Sequence, residues 1–401
     1  MLYIVPYLQL FPTFRKLGLV NNEYELSFMA FIFLCYVGFI AGDSMGLNNQ
    51  QGNNGVLSTS VDYKKYENYS IQTGVIGLAG YGYFIYKSGP YYFYGHNSGD
   101  FSVGGYIYEL RYFIFSSVLL LFNSFLNKTL SKKGLIFLAC ILLFLCYDAY
   151  IQQQRGSWIR LGVILIFSYL FNQKNQMSLR LTTLLSKYKG IAISGAALAL
   201  LLTLTVQIRK FYSPYTTFSE QINLTIDRLV EQPELLIGGS GIDEGNEFVT
   251  AYNAFQANQV AVTCDYGLKW LYPFINFIPR AMWAEKPTWF SFSTDIFTVM
   301  RKYSNIKPAQ GSAETGMIDS FYRFFWGAPL FFVLFGYYTR LLHKSSSTNF
   351  GSRLFYICLY VGCFYFITQN MMPMIIFTLY MYIPIWVVLK TCFKVRKLQY
   401  A

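Results

Sequence analysis

Apolar positions along this 401-residue chain fall in unbroken blocks, not in the three-and-four or alternating spacings of a soluble core. Blocks long enough to cross about 30 Å of hydrocarbon as helices lie near 26–42, 103–126, 134–150, 157–171, 190–207, 326–341, 354–371 and 374–390. Residues 1–14 are short for a span and 73–86 are rich in Gly and Tyr, so each is either a further span or an interfacial or re-entrant piece. The pattern predicts an all-α polytopic membrane protein of about eight to ten transmembrane helices. One polar stretch, 208–325, is too long for a connector and is the place to seek function. Three regions follow: N-terminal transmembrane helices over 1–207, a large extracytoplasmic loop over 208–325, and C-terminal transmembrane helices with a basic cytoplasmic tail over 326–401. Inside the loop, Ile222, Ile226, Leu229 and Val230, then Phe248, Tyr252 and Phe255, recur at helical spacing and predict two amphipathic helices on the membrane face.

Composition agrees: 54% of residues are hydrophobic and 13% charged. The N-terminus lacks an early basic stretch, so the first apolar block is expected to stay as a span instead of being cleaved. Lys and Arg orient the chain. Arg15 and Lys16, Lys128 to Lys133, Lys174 to Lys189, Arg340 to Arg353, and Lys390 to Lys397 fall on one side when the spans are threaded alternately, and that side is the cytoplasm. On this threading 43–102 and 208–325 lie outside. The net charge of +12 is thereby topological, and no nucleic-acid partner is implied; membrane lipids are. Of the seven cysteines only Cys264 lies in the long loop, so no disulfide framework forms there, and neither they nor His96 and His343 have metal-ligand spacing. No metal and no cofactor is expected.

Four stretches carry candidate chemistry. In Pro279-Arg280-Ala281-Met282-Trp283-Ala284-Glu285-Lys286-Pro287, a planar cationic fork, a point charge and an indole sit between prolines, a combination suited to phosphate oxygens. Ion pairing with Glu285 or lipid headgroups is the plainer reading. In Arg155-Gly156-Ser157-Trp158-Ile159-Arg160, Arg160 falls within an apolar run, where a charge needs a polar cavity or a partner; Arg155 is placed to snorkel. Gly311-Ser312-Ala313-Glu314-Thr315-Gly316, with Asp319 and Arg323 following, sets a carboxylate among small residues at the membrane edge, where it serves as a base, a helix cap or an ion-pair partner of Arg323. Glu247 ends an acidic run that suits a helix N-terminus and has the chemistry for a sugar contact. Trp270, Trp283 and Trp289 lie inside the loop and are candidates for stacking on sugar faces.

The layout, with Phe277-Ile278-Pro279-Arg280-x-x-Trp283-x-x-Lys286-Pro287 in one large outer loop and a Gly-rich, Glu-containing stretch before the next span, resembles the O-antigen polymerase (Wzy) or oligosaccharide repeat unit polymerase family over roughly 140–390. Arg301 precedes Gly311 at one residue short of the spacing the family uses. O-antigen ligases are similar in layout but rely on an outer-loop histidine, which 208–325 lacks. The resemblance implies a metal-independent, GT-C-like membrane glycosyltransferase. It would join undecaprenyl-pyrophosphate-linked oligosaccharides into O-antigen or capsular polysaccharide at the outer face of the bacterial cytoplasmic membrane, with a chain-length regulator as partner. The site residues it suggests are Glu314 and Arg280 as catalytic groups, Arg155, Arg160, Lys286, Arg323 and Arg301 on pyrophosphate, and Trp283, Trp289 and Glu247 on the glycan. A lipid-linked oligosaccharide flippase is the rival, disfavoured because no internal repeat is visible.

Overall fold

The computed structural model describes residues 22–48, 59–88, 107, 109–151, 155–172, 218–231, 247–262, 264–276, 278, 282–286, 296–303 and 315–395. Their elements are, in order, α1 (Glu25–Asn48), β1 (Thr59–Val61), α2 (Tyr63–Ser88), α3 (Tyr112–Leu126), α4 (Lys132–Ile151), α5 (Arg155–Asn172), α6 (Phe218–Glu231) and α7 (Glu247–Ala261). The short α8 (Tyr272–Asn276), then α9 (Ile296–Tyr303), α10 (Gly316–Phe324), α11 (Ala328–Thr348), α12 (Phe350–Thr368), α13 (Met371–Cys392) and β2 (Phe393–Val395) complete the series. The described residues are thus helical apart from single-turn 3-10 pieces, connectors and one antiparallel pair of three-residue strands. Among them four stretches are long and apolar enough to cross a membrane, Glu25–Leu47, Gly316–Thr348, Phe350–Ile367 and Met371–Cys392, while Tyr112–Leu126 and Gly156–Asn172 are apolar but shorter. Segment 1–14 and the expected span 190–207 lie outside the described residues.

The chain divides into two compact units, one of 1–54 with 241–378 and the other of 55–240 with 379–401, so the boundary falls within α13. In the first unit α1 packs along α11 in parallel: Gly38 faces Pro329, Gly42 faces Val333, and Gly46 faces Arg340. A Cβ at Gly42 would overlap the carbonyl oxygen of Val333, so glycine is what lets the two backbones touch. The aromatic core is built from Phe28 and Phe31 of α1, Tyr252 and Phe255 of α7, and Phe321 of α10, with the Phe255 and Phe321 rings 4.4 Å apart. Helix α7 is therefore buried along most of its described part, including Ala251, Asn253, Ala254 and Asn258, so its apolar stripe is a packing surface.

In the second unit α2 lies against α3. A Cβ at Gly77 would come within 2.7 Å of the Ile114 nitrogen, and one at Gly80 within 2.7 Å of the Ile107 carbonyl oxygen. The Gly- and Tyr-rich stretch 73–86 is thus the interior of a continuous helix whose low apolarity reflects close packing. Ser116 of α3 donates to the carbonyl of Met381 at 2.7 Å, fixing the C-terminal half of α13 to the same helix. Helix α6 leaves Leu224, Ile226 and Val230 exposed.

Each unit corrects the threading of the first spans. Lys344, at the basic end of α11, donates to the carbonyls of Gly46 (2.9 Å) and Leu47 (2.7 Å), so α1 runs toward the basic side instead of away from it. In the other unit β1 pairs with β2 beside the basic tail, and Glu67 accepts from the Ser131 nitrogen at 3.0 Å next to Lys132 and Lys133. The segment 43–102, expected to lie outside throughout, therefore begins on the basic side, and α2 carries it away.

Candidate functional site

The polar centre of the second unit arises because four helices each contribute one or two hydrophilic residues near the same end. Arg160 sits one turn into α5, only 4% exposed. Its Nε donates to the Gly156 carbonyl at 3.0 Å and a terminal nitrogen to Ser157 Oγ at 3.3 Å. The guanidinium lies 4.9 Å from the Phe115 ring centre and 5.6 Å from that of Tyr112, both on α3, a setting that favours a weakly hydrated cation. Arg111, at the N-cap of α3, donates to the Tyr112 hydroxyl at 2.9 Å. Asp148 of α4, also buried, accepts a hydrogen bond from the Tyr81 hydroxyl of α2. The Tyr81 ring meets Phe144 edge-on at 5.4 Å, which holds the hydroxyl toward the carboxylate.

Tyr81, Arg111, Phe115, Asp148, Ser157 and Arg160 line a small cavity. Just ahead of α3, Glu109 keeps a buried carboxylate oxygen without a hydrogen-bond partner among the described residues, within electrostatic reach of Arg160. Asp148 lies about 22 Å along α4 from Lys133, so the cavity occupies the end of the unit away from the basic connector. Burying guanidinium and carboxylate groups inside apolar helices costs several kcal/mol per charge unless partners or ligands compensate. With a volume of about 10 Å³ the cavity has room for about one water molecule, so arginine, carboxylate and hydroxyl groups form a packed polar centre here.

Set against protein-family models, curated proteins and solved structures, the chain matches none.

The remaining sequence candidates fall elsewhere. Arg323 lies in the first unit, 3% exposed, held between Asp265, which takes NH1, and Asp319 Oδ1, which accepts NH2 at 2.7 Å and Nε at 3.0 Å. Where the sequence suggested a cation for pyrophosphate, the structure pairs it with two buried carboxylates. Asp319 Oδ2 also accepts from Trp270 Nε1 (3.1 Å) and the Met371 nitrogen (3.2 Å), so Trp270 is a fastener packed on Phe324 and Phe331, and its rings are not laid open to a sugar. Lys286, expected at a presented basic corner, is buried and donates to the Ile278 carbonyl at 3.0 Å. Trp283 is 39% exposed on the turn closed by the Lys286 nitrogen, and Arg301 is exposed in the last turn of α9. Arg280, Glu314 and Trp289 lie outside the described residues; Arg155 and Glu247 open α5 and α7, with side chains outside the described part.

Of the candidates, then, Arg160 lines the cavity while Lys286, Arg301 and Arg323 belong to the other unit. Tyr81, Arg111 and Asp148 escaped sequence reasoning. The signal for Asp148 was present, as the one acidic residue in the apolar run 134–150. Arg111 carries the same signal, as a charge inside the expected span 103–126, whereas Tyr81 carries none because its role comes from packing that sequence spacing does not encode.

Proposed function

We propose that this chain is a membrane-embedded glycosyltransferase of the repeat-unit polymerase kind, with GT-C-like architecture, and that it joins polyprenyl-pyrophosphate-linked oligosaccharides into a surface polysaccharide. The observation that carries this reading is the polar cluster of Arg160, Arg111, Asp148 and Tyr81 gathered among the helices of the second unit. A glycosyl donor activated by pyrophosphate develops negative charge on its leaving group, and guanidinium groups fixed in a dry site stabilise that charge more in the transition state than in the ground state. A lipid-anchored substrate also calls for a site within reach of the bilayer, and two of the helices around this one, α3 and α5, are apolar. By the lysine bias the cavity faces outward, across the bacterial cytoplasmic membrane from Lys132 and Lys133. The exposed Trp283, with Trp289 and Glu247, remains a candidate for holding the glycan, and Arg280 and Glu314 remain candidates for catalytic groups.

Deletion separates the readings. Cells lacking this chain should make single capped repeat units in place of long polymer. Absence of any capped unit would instead indicate a flippase, and full-length polymer left uncapped would indicate a ligase.

A further inference from the structure

Where α7 ends and the chain runs on into the short α8, polar and apolar residues are distributed in the opposite sense to a loop in water. Over 260–274 the exposed residues among those described are Val260, Val262, Tyr266, Leu268, Leu271 and Phe274, all apolar or aromatic. The two charged residues of the same stretch are buried instead, Asp265 at 8% and Lys269 at 5% exposed. An aqueous loop keeps its charges in water, because they are the costliest groups to bury. Apolar side chains outside and charges inside suit a hydrocarbon surrounding. From this distribution we infer that 260–274 is an interfacial element sunk into the leaflet opposite the basic end of α11, with its exposed side chains among lipid acyl chains.

Depth along the neighbouring span supports this. Lys344 marks the basic end of α11 by its bonds to the carbonyls of Gly46 and Leu47. Phe331 lies about 20 Å along the helix from Lys344, within the roughly 30 Å thickness of hydrocarbon. Trp270, in the middle of the segment, packs on Phe331 with ring centres 4.9 Å apart and on Phe324 at 5.1 Å. A Cβ at Gly267, whose φ is +77°, would come within 2.8 Å of the Phe324 ring, so the backbone of the segment is itself pressed against α10. Leu330, the neighbour of Phe331, opens the exposed stripe Leu330, Leu334 and Tyr338 of α11, spaced like the lipid-facing edge of a span. A backbone set against hydrocarbon must also satisfy its polar groups. The nitrogens of Val262, Leu268 and Trp270 donate to the carbonyls of Asn258, Asp265 and Gly267 at 2.8, 3.1 and 3.0 Å, and that of Gly267 to Asp265 Oδ1 at 3.0 Å. Asp265 in turn pairs with Arg323, so its charge is compensated without water. Further on, Trp283 and Glu285 are exposed together, an indole beside a charge, as at the level of the headgroups.

The test uses the full chain in nanodiscs and no glycan substrate, so its outcome is independent of the polymerase reading. Phospholipid carrying a diazirine midway along one acyl chain is photolysed, and adducts on the wild-type chain are mapped by mass spectrometry. Adducts should appear on 260–274 at a yield comparable with those on Leu330 and Leu334. Adducts on Leu330 and Leu334 with none on 260–274 would overturn the proposal, whether water, a second copy of this chain or another protein covers the segment. No adducts on either stretch would overturn it too, by removing α11 from the lipid surface. In a second measurement, made without native cysteines, Tyr266→Cys and Leu271→Cys should react with an impermeant thiol reagent about tenfold or more slowly than Ala284→Cys, because hydrocarbon disfavours the reactive thiolate. Both side chains are exposed, so their truncation leaves the core intact. Rates equal to that of Ala284→Cys would overturn the proposal and place 260–274 in water.

Discussion

Arg323 shows how a single charge is read differently once its neighbours are known. Sequence places it near Glu314 at a membrane edge; its partner Asp265 lies 58 residues away and is brought to it by the fold. Breaking a buried pair leaves an uncompensated charge, so Asp265→Asn or Arg323→Gln should destabilise the protein by about 3–5 kcal/mol, read as a clear drop in thermal midpoint in detergent. Unchanged melting would show the network to be incidental. Thr315, just before α10, has φ of +63° and a buried hydroxyl oxygen without a partner among the described residues. Thr315→Gly should relieve both and stabilise by about 1 kcal/mol, measured the same way. Arg160, by contrast, was legible from the sequence, because a charge inside an apolar run demands a partner whatever the fold.

At the scale of elements, the sequence reads well where an apolar block is long and poorly where glycine dilutes it. Helices α11, α12 and α13 follow from their runs alone, whereas α2 was ambiguous because Gly77 and Gly80, needed for contact with α3, lower its apolar content. The same close packing makes a sharp prediction for α1. Gly42→Leu should separate α1 from α11, since its side chain would have to displace the Val333 backbone, and the expected outcome is loss of folded protein from the membrane fraction. Gly82, which has open space around its α-carbon, is the control: Gly82→Ala should be tolerated. Charge bias misdirected α1 for a different reason, namely that Arg15 and Lys16 precede it while the Lys344 cap at its far end is visible only in three dimensions.

For the whole molecule, the contacts of Lys344, β1 and Glu67 place both ends of the segment 46–67 with basic residues. In a background without native cysteines, Lys64→Cys should react with an impermeant thiol reagent only from the cytoplasmic side, and Ala284→Cys only from the outside. Labelling of Lys64→Cys in intact cells would invert the orientation of α2 and turn the cavity inward. The most direct test of the account is polymer formation by the purified chain in nanodiscs supplied with polyprenyl-pyrophosphate-linked repeat units, comparing wild type, Arg160→Lys and Arg160→Ala by gel. The account predicts ladders of joined units from the wild type, sharply shortened product from Arg160→Lys because a point charge does not replace a planar fork, and none from Arg160→Ala. Ladders of wild-type length and amount from a folded Arg160→Ala protein would contradict it.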